Sequence, residues 1–215
     1  MGLTIHYNGR LRTKATLPAL IEEVKDIVEI YKWEYRIYET QFPINRFGRK
    51  KVNNSLYGIS FYPPECEQVD LAFLSSGELI SWWGYTFYIK SLIEKKPTLH
   101  VGNSVKTQYA GASIHKLLIH LFDHLSKKYF RQFKMIDEGQ YWETRDEKLL
   151  NENFAFLSSL IEGFQSVLDG NRIHKGEAFD EYFKRLLTKI HGCANFIKID
   201  LEKEKKQKKY KSKTK

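Results

Sequence analysis

Several strand-like segments follow one another in the first half of the chain with no helical pattern between them. Short runs of β-branched and aromatic residues predict strands at residues 34–42, 56–62, 69–74 and 79–83, the last two joined by a turn at 75–78. Parallel strands need a long crossover connection, which is usually a helix, whereas antiparallel strands do not. The sequence therefore predicts an α+β fold built on a mostly antiparallel sheet.

Apolar residues at three- and four-residue spacing predict helices on either side of these strands. The first follows an opening strand at 3–11, has Thr16 as its N-cap and carries Leu20, Val24 and Val28 on its apolar side. The remaining predictions are strands at 98–109 and 133–136, helices at 113–129, 144–168 and 179–190, and a strand or a helix at 85–95. Together they predict a sheet of five to seven strands covered by helices, with a C-terminal helical pair.

The positive charge of the chain is concentrated at its C-terminal end. The 215 residues carry a formal charge of +9, of which the eight lysines and two glutamates of residues 202–215 contribute +6. A lysine-rich run with few apolar residues cannot offset its ordering entropy, so residues 202–215 are predicted to be a disordered basic tail. Residues 1–201 are predicted to form a single α+β domain, with a helical extension at about 145–192.

Cysteine usage and hydropathy indicate a cytoplasmic protein. Cys66 and Cys193 are too few for a disulfide framework and do not have metal-binding spacing, which is typical of a reducing compartment. No segment approaches the roughly 18 uninterrupted apolar residues of a membrane span, and the N-terminus has no apolar core of a signal peptide. We therefore predict no membrane association.

Three segments resemble a family of bacterial proteins with no assigned function. They are Ile5–Leu11, Lys106–Gly111 with the nearby His115, and Asp137–Thr144. The resemblance covers residues 1–150 and implies no activity.

Carboxylates cluster where the strand at 133–136 ends and the next helix begins. Asp137, Glu138 and Glu143 could hold a divalent metal or supply a general base, with His6 or His115 nearby in space. Asp146 and Glu147 have a simpler explanation, because acidic residues favour the first turn of a helix and Glu147 completes a capping box with Thr144.

Two histidines provide a weaker metal hypothesis. His120 and His124 lie four residues apart on a predicted helix, the spacing that points two imidazoles in the same direction. No glutamate stands beside His120 to complete the H-E-x-x-H motif, so a surface pair without metal is the preferred interpretation. Nucleotide-binding glycine motifs are also missing from the sequence, and no cofactor is predicted.

Aromatic side chains suggest a ligand-binding surface. Alternate rings on one sheet face could stack on a ligand, and the predicted binding residues are Trp82, Trp83, Tyr85, Arg46, Tyr141 and Trp142. The leading hypothesis is a non-catalytic module that binds a protein or a small ligand, and oligomerisation is compatible with it. The alternatives are a metal-assisted hydrolase or nuclease using the acidic residues at 137–143, and nonspecific contact with nucleic acid through 203–215.

Overall fold

The computed structural model describes residues 3–43, 55–94 and 102–189. Within these ranges the strands are β1 (Thr4–Leu11), β2 (Glu34–Ile37), β3 (Tyr57–Tyr62), β4 (Val69–Phe73), β5 (Asn103–Lys106) and β6 (Phe130–Asp137). The helices are α1 (Thr16–Ile30), α2 (Trp82–Glu94), α3 (Gly111–Tyr129), α4 (Tyr141–Thr144), α5 (Glu147–Asp169) and α6 (179–189). The predicted basic tail and Arg46 lie outside the described residues.

The described strands form two three-stranded antiparallel sheets, ordered β5-β1-β6 and β2-β3-β4. The predicted α+β class and antiparallel pairing are confirmed, but the prediction of one sheet with five to seven strands is wrong. The chain between β4 and α2 contacts both sheets. Leu79 N donates to Gly9 O in β1 and Ile80 N donates to Ala72 O in β4, both at 2.9 Å.

The predicted strand at 79–83 is reduced to an antiparallel bridge between Leu79 and Phe73, and α2 begins at Trp82. Ser81 caps this helix, because its Oγ accepts a hydrogen bond from Gly84 N at 3.0 Å. Trp82 N donates to Asp70 Oδ2 at 3.0 Å, which satisfies a second amide of the first turn. Two side-chain acceptors thus direct the chain into a helix, and the ambiguous segment 85–94 continues it.

Amphipathic helices cover the sheets as predicted. Helix α1 packs on β3 and buries one side, whose residues are Leu17, Leu20, Ile21, Val24 and Val28. Helix α3 packs on β6 and buries Leu118, Phe122 and Leu125. Full burial of one such side chain contributes about 1.5–3 kcal/mol to folding, so these two faces are the main core of the first 154 residues.

The predicted helix caps are wrong in detail. Thr16 is the first residue of α1 and its hydroxyl donates backwards to Thr13 O at 2.7 Å, so it caps no amide. Asp146, in place of Thr144, caps α5, since its Oδ1 accepts from Lys148 N at 2.9 Å and from Leu149 N at 3.1 Å. A short carboxylate directly before the helix reaches these amides more easily than a hydroxyl two residues further away.

The chain divides into two compact units between Phe154 and Ala155. The first holds both sheets and helices α1 to α4. The second holds the later part of α5 together with α6. Among the described residues, no helix has the length and hydropathy needed to cross a membrane.

Candidate functional site

A buried carboxylate joins the sheet β2-β3-β4 to the start of α2. Asp70 is 6% exposed, and its Oδ1 accepts hydrogen bonds from Ser60 Oγ at 2.6 Å and from Gln68 Nε2. Its Oδ2 accepts from the first amide of α2. These bonds fix the helix N-terminus above the face of the sheet that carries Ser60 and Asp70, with Arg36 opposite Ser60 on the edge strand.

The Arg36 guanidinium lies against two aromatic rings at this junction. Its guanidinium carbon is 5.3 Å from the ring centre of Tyr38 and 5.5 Å from that of Trp82, within the range of cation–π attraction. In the parts of the chain that the structure describes, the Arg36 side chain makes no hydrogen bond or ion pair. Its planar group of N–H donors is therefore positioned by the rings and available to a ligand.

Exposed aromatic residues continue from Arg36 along α2. Trp82 is 37% exposed, Trp83 71% and Phe87 49%. Trp83 and Phe87 are four residues apart and therefore share one side of the helix. We call Arg36, Tyr38, Trp82, Trp83 and Phe87 the Arg36 surface.

The predicted ligand-binding residues lie in two places. Trp82 and Trp83 belong to the Arg36 surface, on a helix where a strand was expected. Tyr85 is half-buried beneath it, packed against the apolar cluster that contains Ala72 and Tyr88. Tyr141 and Trp142 lie on α4, where the Arg145 guanidinium is 5.9 and 4.8 Å from their ring centres.

Two of the predicted catalytic residues meet in the interior. His115 Nε2 lies 2.9 Å from Asp137 Oδ1, and both side chains are fully buried. Asp137 also accepts from three backbone amides, those of Gly139 at 2.7 Å, Tyr141 at 2.8 Å and Trp142 at 2.9 Å. Burial alone would raise the pKa of Asp137, but His115 and the amides outweigh it and lower the pKa below its usual value.

A hydroxyl completes a series of three side chains. Thr107 Oγ1 is 2.6 Å from His115 Nδ1 and 3.1 Å from Leu3 O, and the Thr107 and His115 residues have no exposed surface. A hydroxyl, an imidazole and a carboxylate in contact are the parts of a nucleophilic site. Here they are sealed from solvent, and they connect the ends of β5 and β6 with α3. We call Thr107, His115 and Asp137 the Asp137 cluster.

The other predicted catalytic residues lie outside this cluster. Glu138 is exposed, accepts from Thr4 N at 3.0 Å and is 3.5 Å from His6 Nε2. Glu143 Oε1 accepts from Asp137 N at 3.4 Å. Glu138 and Glu143 thus each have a hydrogen-bond partner of their own and do not join the contact between His115 and Asp137.

The two histidines of the weaker metal hypothesis have separate partners. His120 Nε2 is 3.3 Å from the Tyr141 hydroxyl, whereas His124 Nε2 is 2.5 Å from Glu23 Oε1. Across the residues that the structure describes, no three histidine, cysteine or acidic side chains are placed to hold one metal ion.

Glu23 predicts how stability responds to acid. Burial would raise its pKa, but hydrogen bonds from Lys128, Tyr129 and His124 outweigh burial and lower the pKa to about 2. A lowered folded-state pKa contributes stability above the unfolded value of about 4.3 that is lost as the pH falls towards the folded value. We expect Glu23→Gln to flatten the fall in unfolding free energy between about pH 4.5 and 2, measured by urea titration at each pH. An unchanged slope would contradict this role.

Sequence patterns missed Arg36 and Thr107. Arg36 is an ordinary polar position in a strand pattern, and only the arrival of α2 above it brings Trp82 to its guanidinium. Thr107 falls in the segment used for the family resemblance, but nothing in the sequence places its hydroxyl against His115. Neither residue has a local pattern that could have identified it.

The two sites differ in their access to solvent. The Asp137 cluster is buried, whereas the Arg36 surface presents a charged group and three exposed rings.

Comparisons of the chain with protein-family models, curated proteins and solved structures found no match.

Proposed function

We propose that the chain is a non-catalytic binding module that uses the Arg36 surface to bind a protein segment carrying a carboxylate beside an apolar side chain. The observation that carries the proposal is Arg36 itself, an exposed guanidinium positioned by Tyr38 and Trp82 with no carboxylate partner in the described ranges. Arginine, tryptophan and tyrosine are the residues that most often dominate binding energy at protein interfaces.

The charge of Arg36 indicates the polar half of the ligand. A guanidinium binds carboxylates with two parallel hydrogen bonds, which is stronger and more directional than a lysine contact. Contact with two rings restricts the Arg36 side chain before binding, so less conformational entropy is lost when the ligand binds.

The exposed rings indicate the apolar half. Trp83 and Phe87 leave much of their surface in water, which is unfavourable unless a partner covers it. Two neighbouring aromatic side chains on one side of a helix provide a rigid platform for an apolar side chain of the ligand.

The hydrogen bonds that the acidic residues already make favour a peptide-binding module over a metal-assisted hydrolase. The Asp137 oxygens already receive three amide bonds and contact His115, and Glu138 accepts from Thr4 N. A metal would have to replace contacts that hold the end of β6. The nucleic-acid hypothesis concerns residues 203–215, outside the described ranges.

A displayed random peptide library, selected on the full chain, tests the proposal. We expect selected peptides to share an acidic residue next to an aromatic or aliphatic one. Arg36→Ala and Trp83→Ala should each weaken their binding by about 10- to 100-fold, because truncation of an interface anchor costs at least about 1.4–2.8 kcal/mol. Isothermal titration calorimetry measures the loss.

Matched controls separate this surface from nonspecific contact. Arg131 is an exposed arginine on β6 and Tyr109 is 66% exposed, so Arg131→Ala and Tyr109→Ala remove the same chemistry elsewhere in the same unit. Both should bind within about twofold of the unmodified chain. Selected peptides that lack an acidic residue, or that bind the Arg36 and Trp83 variants normally, would contradict the proposal.

A further inference from the structure

Strand β2 has one edge paired with β3 and one edge without a partner in the described residues. It stands at the end of the sheet β2-β3-β4, and three of its four residues are exposed, the largest share in any described strand. The edge of a sheet presents backbone N–H and C=O groups to which another extended chain can pair. The outer edge of β2 is therefore a place where a further strand can be added.

The alternation of hydrogen bonds shows which backbone groups of β2 are free. Tyr38 N donates to Gly58 O in β3 at 2.9 Å. Hydrogen-bonded and non-hydrogen-bonded residues alternate along an antiparallel pair, so Arg36 also turns its backbone groups towards β3, whereas Tyr35 and Ile37 turn theirs away. Within the described ranges, the N–H and C=O groups of Tyr35 and Ile37 make no hydrogen bond.

The side chains of β2 alternate between the two faces of the sheet. Glu34 and Arg36 share the face on which α2 begins, and neither side chain makes an ion pair with another described residue. On the opposite face, Tyr35 donates to Glu29 Oε1 in α1 at 2.7 Å, and Ile37 is 37% exposed. The edge thus offers an acidic and a basic group on one face and an uncovered apolar group on the other.

We propose that the ligand of the Arg36 surface is an extended peptide segment that adds to this sheet as a further strand, antiparallel to β2. The inference rests on the proposed function, because the peptide carboxylate is the one that binds Arg36. Antiparallel pairing is slightly more stable than parallel pairing, and every described pair of strands uses it. The residue opposite Arg36 forms a non-hydrogen-bonded pair with it, which brings the two side chains closest together.

Antiparallel pairing fixes the order of side chains in the peptide. When the acidic residue lies opposite Arg36, the residue before it lies opposite Ile37 and the residue two positions after it lies opposite Glu34. An apolar residue covers Ile37, and a basic residue pairs with Glu34. We therefore expect the selected peptides to share the order apolar, acidic, any residue, basic, from the N-terminus to the C-terminus. A parallel strand would require the reverse order.

N-methylation of a selected peptide tests the added strand, because it removes one main-chain donor and leaves the side chains unchanged. In the antiparallel arrangement, the residues before and after the acidic one point their N–H groups towards β2, and the acidic residue points its own away. Methylation at either flanking position should weaken binding to the full chain by at least about tenfold, since a carbonyl of Tyr35 or Ile37 loses its donor. Methylation of the acidic residue is the matched control and should change the affinity by less than about twofold.

Amide hydrogen exchange of the full chain, followed by NMR, supplies a readout on the protein. Binding of the peptide should slow exchange of the Tyr35 and Ile37 amides by at least about tenfold, because both gain an acceptor. Met135 provides the matched control. By the same alternation of bonds, its amide faces the outer edge of β6, and its exchange rate should not change.

The outcomes separate this inference from the function on which it rests. Peptides that require Arg36 but tolerate N-methylation at both flanking positions would overturn the added strand and leave the proposed binding function intact. The reverse order of shared residues, with binding lost on methylation of the acidic residue, would overturn the antiparallel direction. A library that yields no acidic peptide would overturn both the binding function and the added strand.

Discussion

Replacement of Asp137 by asparagine is expected to lower the free energy of unfolding by about 3–5 kcal/mol, because each buried donor left without its acceptor costs about 1–3 kcal/mol. The carboxylate accepts from three backbone amides and lies 2.9 Å from His115 Nε2. An asparagine keeps one acceptor oxygen and turns an NH2 group towards donors. Buried amides of the 139–142 segment would then lose their acceptor. Urea unfolding followed by circular dichroism measures the change.

Glu138→Gln is the matched control for this variant. It changes the neighbouring residue from carboxylate to amide, but on an exposed side chain, so we expect a change within about 0.5 kcal/mol. The pH dependence supplies a second readout. Asp137 has a lowered pKa, so its contribution is present above the unfolded value of about 3.9 and declines as the pH falls through the folded value. A loss below about 1 kcal/mol at neutral pH would show that the cluster is not a major source of stability.

Gly58→Ala is expected to destabilise the protein by at least about 4 kcal/mol, because it combines steric overlap with backbone strain. Gly58 has a φ of +118°, and a Cβ at this position would lie 2.2 Å from Leu71 O on the paired strand β4. The close atom is backbone, so the two strands would have to separate. Thermal unfolding of the variant should show a strongly lowered midpoint, or the chain should fail to fold.

Substitutions at two other glycines separate the effect of steric overlap from that of backbone strain. Gly111 also has a positive φ, +82°, but nothing lies within 4 Å of a Cβ there, so Gly111→Ala reports strain alone and should cost about 1–2 kcal/mol. Gly163 lies inside α5 with open space around it, and Gly163→Ala should be neutral or stabilising by up to about 1 kcal/mol. A Gly58→Ala variant no less stable than Gly111→Ala would show that β3 and β4 adjust to the added methyl group.

Amphipathic periodicity explains why several helices were predictable. The apolar residues of α1 and α3 recur at three- and four-residue steps, and the predicted range 113–129 differs from α3 by two residues at its start. The end of α5 was also predictable from Asp169-Gly170-Asn171, where glycine and asparagine favour the termination of a helix. Such patterns are local, so each of these helices can be predicted from its own residues without knowledge of its partners in the fold.

The start of α2 shows where local patterns misled. Residues 79–83 are apolar and aromatic, which favours a strand. The helix begins there because Ser81 Oγ and the carboxylate of Asp70 accept its first amides. Serine is a common N-cap residue, so Ser81 does indicate a helix start in the sequence. Asp70 lies on β4, and no sequence rule connects it with Trp82.

The composition of the candidate sites depends even more than the start of α2 on contacts between segments distant in sequence. Trp82 and Trp83 were selected for their aromatic character, yet the partner that gives them a defined chemistry is Arg36, more than 40 residues earlier in the chain. Asp137 and His115 were selected as chemical groups. Their burial and their contact could not be read from spacing, since they belong to different elements.

The amino-acid sequence by itself determined the α+β class, the antiparallel pairing and most helix positions, because periodic burial and strand succession are encoded over short stretches. Tertiary structure alone decided that the strands divide into two sheets, that Arg36 meets Trp82 at the surface and that Asp137 meets His115 in the interior. These outcomes depend on which side chains from distant segments compete for the same hydrogen bonds and the same buried space. That competition is settled only when the elements pack together.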